Sequence, residues 1–495
     1  MHGLPRQYLR YATLAAALVV RIPGIGWGLP PDLPHVRSSD FRSSYSFDED
    51  DILSGVAMAS VARFDFDPRE YHWGTLHLHL VLFALDGAEA LGAFTLPWRT
   101  AYYNLVDADF VRVYATGRLV AVAVALLTVW LLFRLPAGEF AAMLVAVSPA
   151  HVLQSDQVRV DVTMAAMLVL MLVVANGRFR PWLIGFIGGL AIAAKYSAIT
   201  AVASVVVVLL AQAHFPWRGI LQTVVAVPLG FIAGGPYVAI KPYAFYEQIN
   251  RFMTANSRVP SEFAIPAGKV IWLHVVNVVR FSMGPLAFGL ALVGLVWMLR
   301  RRLRFDCVVL AALAGYAVIL VPLRWPLIRY DLPLTILLGL AAGVALDRLP
   351  RWRPVAMAAV LVMPLAGCIA QIRYMRAPHP ANLMLARILD TVPPGTPIAR
   401  LFRESPPLDL NIYPLGTDIF IGDLSKDPPE WVLMTDLPDQ PYRASNLNLL
   451  RTEYVAMAHT ESDRILPWAT FGERAAPHDW KYTHPSFTLY RRKSP

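Results

Sequence analysis

Charge is scarce in this chain. Only 16% of its 495 residues are Asp, Glu, Lys or Arg, against roughly 25% in a soluble protein. Cysteine is nearly absent: Cys307 and Cys368 each sit inside an apolar run, which excludes a disulfide framework and a Cys-rich metal site. No Gly-rich nucleotide loop, no His-Glu-x-x-His pair and no Ser-His-Asp arrangement stands out. Internal repeats and low-complexity tracts are missing too. What fills the chain is apolar: 56% of residues are hydrophobic and the mean hydropathy is +0.47. That composition excludes disorder and collagen-like structure and points to lipid.

A bilayer core takes about 20 helical residues. At that scale the sequence predicts eleven spans, at 8–28, 113–133, 139–155, 162–176, 181–194, 197–213, 219–239, 273–299, 307–323, 327–346 and 355–371. Their connectors fall into two alternating sets. One set holds thirteen Arg against three acids, Glu139, Asp306 and Asp347. The other includes the stretch 30–112, with thirteen acids against six Arg. The positive-inside rule places the Arg-rich set and the N-terminus in the cytoplasm. The net charge of +9 is then topological, and nucleic acid is not needed to explain it. The first span has no small-residue cleavage site after it and is expected to be an uncleaved anchor. Segment 74–96 carries Asp86 and Glu89 and would invert the charge sorting if it crossed, so it is expected to lie along the outer interface.

The last stretch, 372–495, balances fourteen basic against fourteen acidic residues and is rich in proline. Short apolar runs at 430–435 and 486–490 are expected as strands, and 381–390 as an amphipathic helix. The expected architecture is an all-α polytopic membrane domain over 1–371, of about eleven transmembrane helices plus juxtamembrane helices, with a large first outer loop at 30–112. A small α/β extracytoplasmic domain follows over 372–495.

The remaining ionisable residues gather at the expected outer face. Asp48, Glu49, Asp50 and Asp51 form a run whose mutual repulsion calls for counter-charge, a cation or solvent; a solvated loop is the competing reading. Asp161 opens a span, where a carboxylate also suits a helix N-terminus. Asp156 and Arg159 stand close enough in sequence to pair locally. Lys195 interrupts an apolar stretch, and Arg324, Arg329 and Tyr330 lie at a further outer turn; headgroup snorkelling competes for these cations. The run Tyr71-His72-Trp73 is read as an interfacial anchor or a sugar-stacking surface. His77 and His79 are two apart, which on a helix turns them to different faces and argues against a zinc pair. Span centres hold little charge, with Arg21, Arg118 and Arg280 as exceptions near the outer ends. Carboxylates from two loops and cations from two more suit reaction on a lipid-linked phosphate: cations hold the leaving phosphate and a carboxylate takes a proton from an incoming hydroxyl. A transporter would place its charges nearer the midplane.

The order of motifs is also informative. Phe47-Asp48-Glu49, Phe66-Asp67-Pro68, Tyr71-His72-Trp73-Gly74-Thr75, Gly117-Arg118, Ser148-Pro149-Ala150-His151, Arg159-Val160-Asp161, Lys195-Tyr196-Ser197, Pro236-Tyr237 and Arg329-Tyr330-Asp331-Leu332-Pro333 follow one another. Over roughly 8–375 this resembles the GT-C superfamily of membrane glycosyltransferases, nearest the protein O-mannosyltransferase and aminoarabinose-transferase type (family 39-like). The resemblance implies a GT-C fold in an inner membrane. It also implies a polyprenyl-phosphate-linked sugar donor and a hydroxyl acceptor on a glycan, lipid or protein. It assigns Asp48, Glu49 and Asp161 to the catalytic centre, with Asp156 as a substitute for Asp161, and Lys195 and Arg329 to the lipid phosphate. Tyr330, Tyr71, His72 and Arg159 complete the expected substrate contacts. Some relatives use a divalent ion (Mg, Mn or Zn), for which Asp48 and Asp161 would be the ligands, and others need none. Many members carry a Pro-Pro-Leu-Tyr-type run where this chain has Trp73-Gly74-Thr75-Leu76-His77. A transporter or flippase of lipid-linked glycans, and a non-catalytic scaffold, are the rival functions.

Overall fold

The structure, a computed structural model, describes residues 6–27, 29, 49, 53, 66–94, 107–177, 180–212, 217–257, 267–322, 327–378, 380–393, 395–400, 418–420, 424, 428–435, 444–460 and 486–493. The chain divides into two compact units. The first comprises Met1–Ile25, Asp51–Leu96 and Arg112–Ile372; the second comprises Gly26–Asp50, Pro97–Val111 and Arg373–Pro495.

In chain order the helices of the first unit are α1 (Arg6–Arg21), α2 (Thr75–Ala90) and α3 (Asp107–Leu132, which begins in the second unit's segment). They continue with α4 (Gly138–Val147), α5 (Pro149–Ser155), α6 (Val160–Asn176), α7 (Pro181–Ala194), α8 (Ile199–Gln212) and α9 (Trp217–Gly234). Next come α10 (Pro236–Ile240), α11 (Pro242–Ser257), α12 (Ala267–Asn277), α13 (Gly284–Arg301), α14 (Arg304–Leu320), α15 (Leu332–Leu346) and α16 (Arg353–Arg376). Among the described residues five helices are long and apolar enough to cross a membrane, or six if the bent pair α5–α6 counts as one span. Three further expected spans, 139–155, 181–194 and 197–213, hold shorter apolar helices; the expected spans 8–28 and 307–323 hold the 16-residue α1 and the 17-residue α14, which fall below that length as well. Segment 74–96 contains the 16-residue α2, short of a full crossing.

One expected span is broken and another is irregular, and a proline sits at each point. The segment 139–155 is not one helix: Ser148, ahead of Pro149, is extended (φ −68°, ψ 121°) and separates α4 from α5. Beyond that segment α5 meets α6 at 114°. The segment 273–299 lies within Gly268–Arg301, one of the five helices long enough to cross, and carries a π-helical turn at Val278–Met283 and Gly284 at φ +76°, ahead of Pro285. The ring of a proline disfavours helical geometry in the residue before it.

Helix α15 is apolar on every side and is buried along its whole length, as a helix without a polar face must be. It approaches its neighbours closely: a Cβ on Gly294 would lie 1.8 Å from the Ala341 carbonyl oxygen. Helices α7 and α9 cross in the same way, with Gly185 and Gly189 of one and Gly230 of the other each facing partner backbone. Small residues four apart let apolar helices gain dispersion contact where lipid offers no hydrophobic drive.

Ion pairs join connectors of the Arg-rich set. Glu139 accepts from Arg6 (2.6 Å) and from Arg353 (2.7 Å), Arg353 also reaches Asp347 (3.4 Å), and Arg301 pairs with Asp306 (2.5 Å). All of these belong to the Arg-rich set. Arg21 is buried and holds α1 against the α4–α5 break. It donates to Ser155 Oγ (2.7 Å) and to the carbonyls of Ala17 (2.8 Å), Ala146 (3.1 Å) and Val145 (3.2 Å), and meets His151 Nδ1 at 3.1 Å. Arg118 is buried too and donates to the carbonyls of Gly24 (3.2 Å) and Ile25 (3.0 Å). These intramembrane arginines therefore serve as staples for exposed carbonyls.

The second unit contains a five-stranded sheet of order β2-β1-β3-β5-β4. Its strands are β1 (Ile398–Arg400), β2 (Asp418–Phe420), β3 (Trp431–Thr435), β4 (Tyr454–Thr460) and β5 (Phe487–Arg492). β1 pairs parallel with β2 and β3, whereas β5 runs antiparallel to β3 and β4. Alternation along the strands sends Ile398, Trp431, Leu433 and Leu489 to a core with α17 (Pro380–Thr391). Ala399 and Val432 face the opposite core with Leu450 of α18 (Ala444–Glu453). The two expected strands and the expected helix in this stretch are β3, β5 and α17.

Candidate active site

Three separated connectors converge on one ion pair. The sharp α5–α6 bend leaves Arg159 extended (φ −129°, ψ 126°) and puts Asp161 in the first turn of α6. Lys195 ends α7, also extended (φ −162°, ψ 128°), before a 3-10 turn at Tyr196–Ala198. The Lys195 ammonium pairs with the Asp161 carboxylate, which is only 1% exposed. A third turn, Ile328–Asp331, precedes α15 and supplies Tyr330, whose ring lies 4.4 Å from Lys195 Nζ. Arg329 from the same turn stands over the rings of Tyr330 (5.5 Å) and Trp73 (5.7 Å).

The electrostatics favour an anion. Burial pushes the Lys195 ammonium down to about 8; Asp161 opposes that shift, and the positive fields of Arg329 and Arg159 add to it. Three cations thus stand within reach of one another, and a phosphate oxygen brought among them would relieve their repulsion. Aromatic faces on Tyr330 and Trp73 hold two of the cations in place.

The loop 66–74 closes this side of the cluster. Asp67, almost fully buried, accepts from the Tyr71 hydroxyl (2.7 Å), the Arg69 amide (3.0 Å) and Lys241 Nζ (2.5 Å). Gln248 of α11 accepts from the Tyr71 amide (2.6 Å) and donates to the Arg69 carbonyl (2.6 Å). The Tyr196 hydroxyl donates to the Tyr71 carbonyl. Gly74 then brings the chain against the end of α7: its φ is +93°, and a Cβ there would lie 2.3 Å from the Ala194 carbonyl oxygen. Gly74→Ala is expected to cost about 1–3 kcal/mol in backbone strain alone and to push Trp73 away from Arg329. A lowered thermal midpoint in detergent, with weakened anion binding, checks this.

The other expected residues each have partners of their own. Tyr71 is 1% exposed, and its hydroxyl donates to Asp67. Trp73 is flanked by His72 (4.8 Å between ring centroids) and by Arg329. His72 pairs with Glu70 (3.2 Å) and packs near Phe252 (5.7 Å). Arg159 donates to Gln157 (3.0 Å). Asp156 does not form the local pair expected with Arg159; it sits against Gly24, in the fields of Arg21 and Arg118. Glu49 is fully buried and belongs to the second unit's segment Gly26–Asp50. Asp48, Asp50, Asp51 and Arg324 lie outside the described residues.

A divalent ion fits Asp161 poorly, because its carboxylate is already paired with an ammonium and stands among three cations. Among the described residues no group of three His, Cys, Asp or Glu side chains could hold a metal. His77 and His79 bind different partners, Thr163 Oγ1 (2.8 Å) and the Thr75 carbonyl (2.7 Å).

Sequence reading missed one contact of the same turn. His274 Nδ1 lies 2.7 Å from Asp331 Oδ1, with the side chains 3% and 0% exposed. A histidine at the start of an apolar segment was the available signal. The pair ties α12 to the turn that carries Arg329 and Tyr330.

No protein-family model matches the chain, and no curated protein matches it in sequence. Among solved structures it is similar to the crystal structure of the archaeal oligosaccharyltransferase of Archaeoglobus fulgidus in complex with Zn and sulfate, at 13% identity and a TM-score of 0.44, over 86% of this chain and 68% of that one. It is also similar, over 97% of both chains, to ArnT from Cupriavidus metallidurans bound to undecaprenyl phosphate, at 15% identity and a TM-score of 0.47.

Proposed function

We propose that this chain is a GT-C-type membrane glycosyltransferase that moves a sugar from a polyprenyl-phosphate-linked donor to a hydroxyl acceptor on the extracytoplasmic side. The observation that supports the reading is the meeting of Asp161, Lys195 and Arg329 from three different connectors, with Arg159 beside them. Asp48 takes the proton of the acceptor hydroxyl, and Glu49 orients the acceptor. The acceptor oxygen attacks the anomeric carbon; the bond from that carbon to the phosphate oxygen breaks, and its electron pair passes to the phosphate. Configuration inverts in this single displacement. Polyprenyl phosphate leaves with one more negative charge, which Lys195, Arg329 and Arg159 face. Asp161 then acts by holding Lys195 in place, and not as a metal ligand.

Purified protein in detergent, given radiolabelled polyprenyl-phosphate sugar and acceptor, tests this: transfer releases free polyprenyl phosphate. The bent pair α5–α6 favours a second reading, since broken helices are common in transporters. A transporter or flippase would move the labelled lipid across vesicles and release no free phosphate.

The cluster also sets a pH dependence. A phosphodiester donor keeps its charge across the neutral range, so the ionisation of Lys195 governs binding. Lys195 is charged below about 8, and affinity is expected to be highest there. Above that value it should fall by about tenfold per pH unit, as a single linked proton requires. Lys195→Arg, which stays protonated, should flatten the curve. Titration of donor affinity between pH 6 and 10 checks both.

A further inference from the structure

Asp331 ends the 3-10 turn Ile328–Asp331 and is at the same time the N-cap of α15. An aspartate in that position ordinarily accepts from a backbone N–H in the first turn of its helix. Here its side chain makes no capping bond, and Pro333 in that turn has no N–H to give. The carboxylate, 0% exposed, turns instead to His274 Nδ1 at 2.7 Å. Asp331 keeps its place in the helix through its carbonyl, which accepts from Thr335 Oγ1 (3.0 Å). His274 belongs to the inner stripe of α12: Val270, His274 and Val278 are buried at spacings of four, while Ile271 and Trp272 are exposed. Its Nε2 has no hydrogen-bond partner among the described residues. Among them, the bond to Asp331 is what orients the ring.

We propose that His274 and Asp331 are positioning residues for the leaving phosphate: their bond fixes the turn from which Arg329 and Tyr330 face Lys195. A 3-10 turn this short has poor hydrogen-bond geometry of its own. Both sides of the pair, by contrast, are anchored. Helix α15 is buried along its whole length. Helix α12 runs into the π-turn Val278–Met283, which packs on α5 and on α15. Turns of that kind recur at functional sites. The pair also shares a polar interior with the Asp161–Lys195 ion pair, because the fully buried Tyr316 of α14 lies in the fields of both Asp161 and Asp331. A buried pair adds little net stability, since desolvation offsets its attraction. What this one gives is a defined place for Arg329, two residues before Asp331.

The role rests on the phosphate reading of the Lys195 cluster, and its test uses no sugar transfer. Binding of undecaprenyl phosphate to the full chain in detergent is measured by calorimetry, beside the thermal midpoint of each variant. His274→Leu/Asp331→Asn removes the bond and leaves no buried charge unpaired. It should weaken binding about tenfold, the scale of one lost contact to a charged group. Arg329→Ala still leaves Lys195 and Arg159 to hold the phosphate. In that background the same two changes should weaken binding by less than about a further twofold, because coupled sites are not additive. His274→Asn, whose Nδ2 can donate from the place of the imidazole Nδ1, should bind like the parent. A full additional loss in the Arg329→Ala background would overturn the proposal, because the pair would then act by another route. Parent-like binding by His274→Leu/Asp331→Asn would overturn it too. If that variant does not fold, His274→Asn decides: parent-like affinity supports the role, and weak binding by the folded variant overturns it. No binding by the parent chain would remove the phosphate site itself, and this role with it.

Discussion

Lys195→Met is expected to reduce transfer by about two to three orders of magnitude, the scale seen when an oxyanion-stabilising group is lost. The same change should destabilise the protein by about 3–5 kcal/mol, because it strands the Asp161 carboxylate, 1% exposed, without its partner. The two effects have separate causes and can be pulled apart. In Lys195→Met/Asp161→Asn no buried charge is left unpaired, so most of the stability should return. The ammonium facing the leaving phosphate remains absent, so activity should not return. Thermal unfolding in detergent reads the first effect and single-turnover transfer the second. Recovery of both in the double variant would mean that the pair is only structural.

Asp48→Asn carries the other large effect. If Asp48 is the general base, its amide cannot take the acceptor proton, and transfer should fall to background while the unfolding midpoint stays within a degree or so of the parent. Lipid-phosphate affinity should survive, since the cations on Lys195, Arg329 and Arg159 are untouched. Normal turnover in this variant would remove Asp48 from the chemistry and shift attention to Glu49.

Much of this site could be read from residue order because charge is so costly in lipid. In a chain with few ions, Asp161, Lys195 and Arg329 each interrupt an apolar stretch, and such interruptions mark function. Helix positions followed from apolar run length for the same reason. The breaks at Ser148–Pro149 and Gly284–Pro285 were also written in the sequence, but hydropathy averages over them, whereas backbone sterics do not. Pairwise partners were the part that could not be read. Asp156 and Arg159 are three apart, yet the bend between α5 and α6 sends one towards Arg21 and Arg118 and the other towards Lys195. For Tyr71, only the fold shows Asp67, four residues away, receiving its hydroxyl. Helix α11 escaped notice because polar and apolar residues mix along it; it matters through Gln248, which clamps the 69–71 backbone.

The most direct measurement is the structure of the full protein with a polyprenyl phosphate bound, in a lipid nanodisc. The phosphate oxygens should lie within about 4 Å of Lys195 Nζ and of the Arg329 guanidinium, the reach of a charge-assisted contact, with the isoprenoid chain running into the bilayer. A phosphate seated elsewhere, for example on Arg21 and Arg118 with the Lys195 cluster empty, would contradict the assignment of this site.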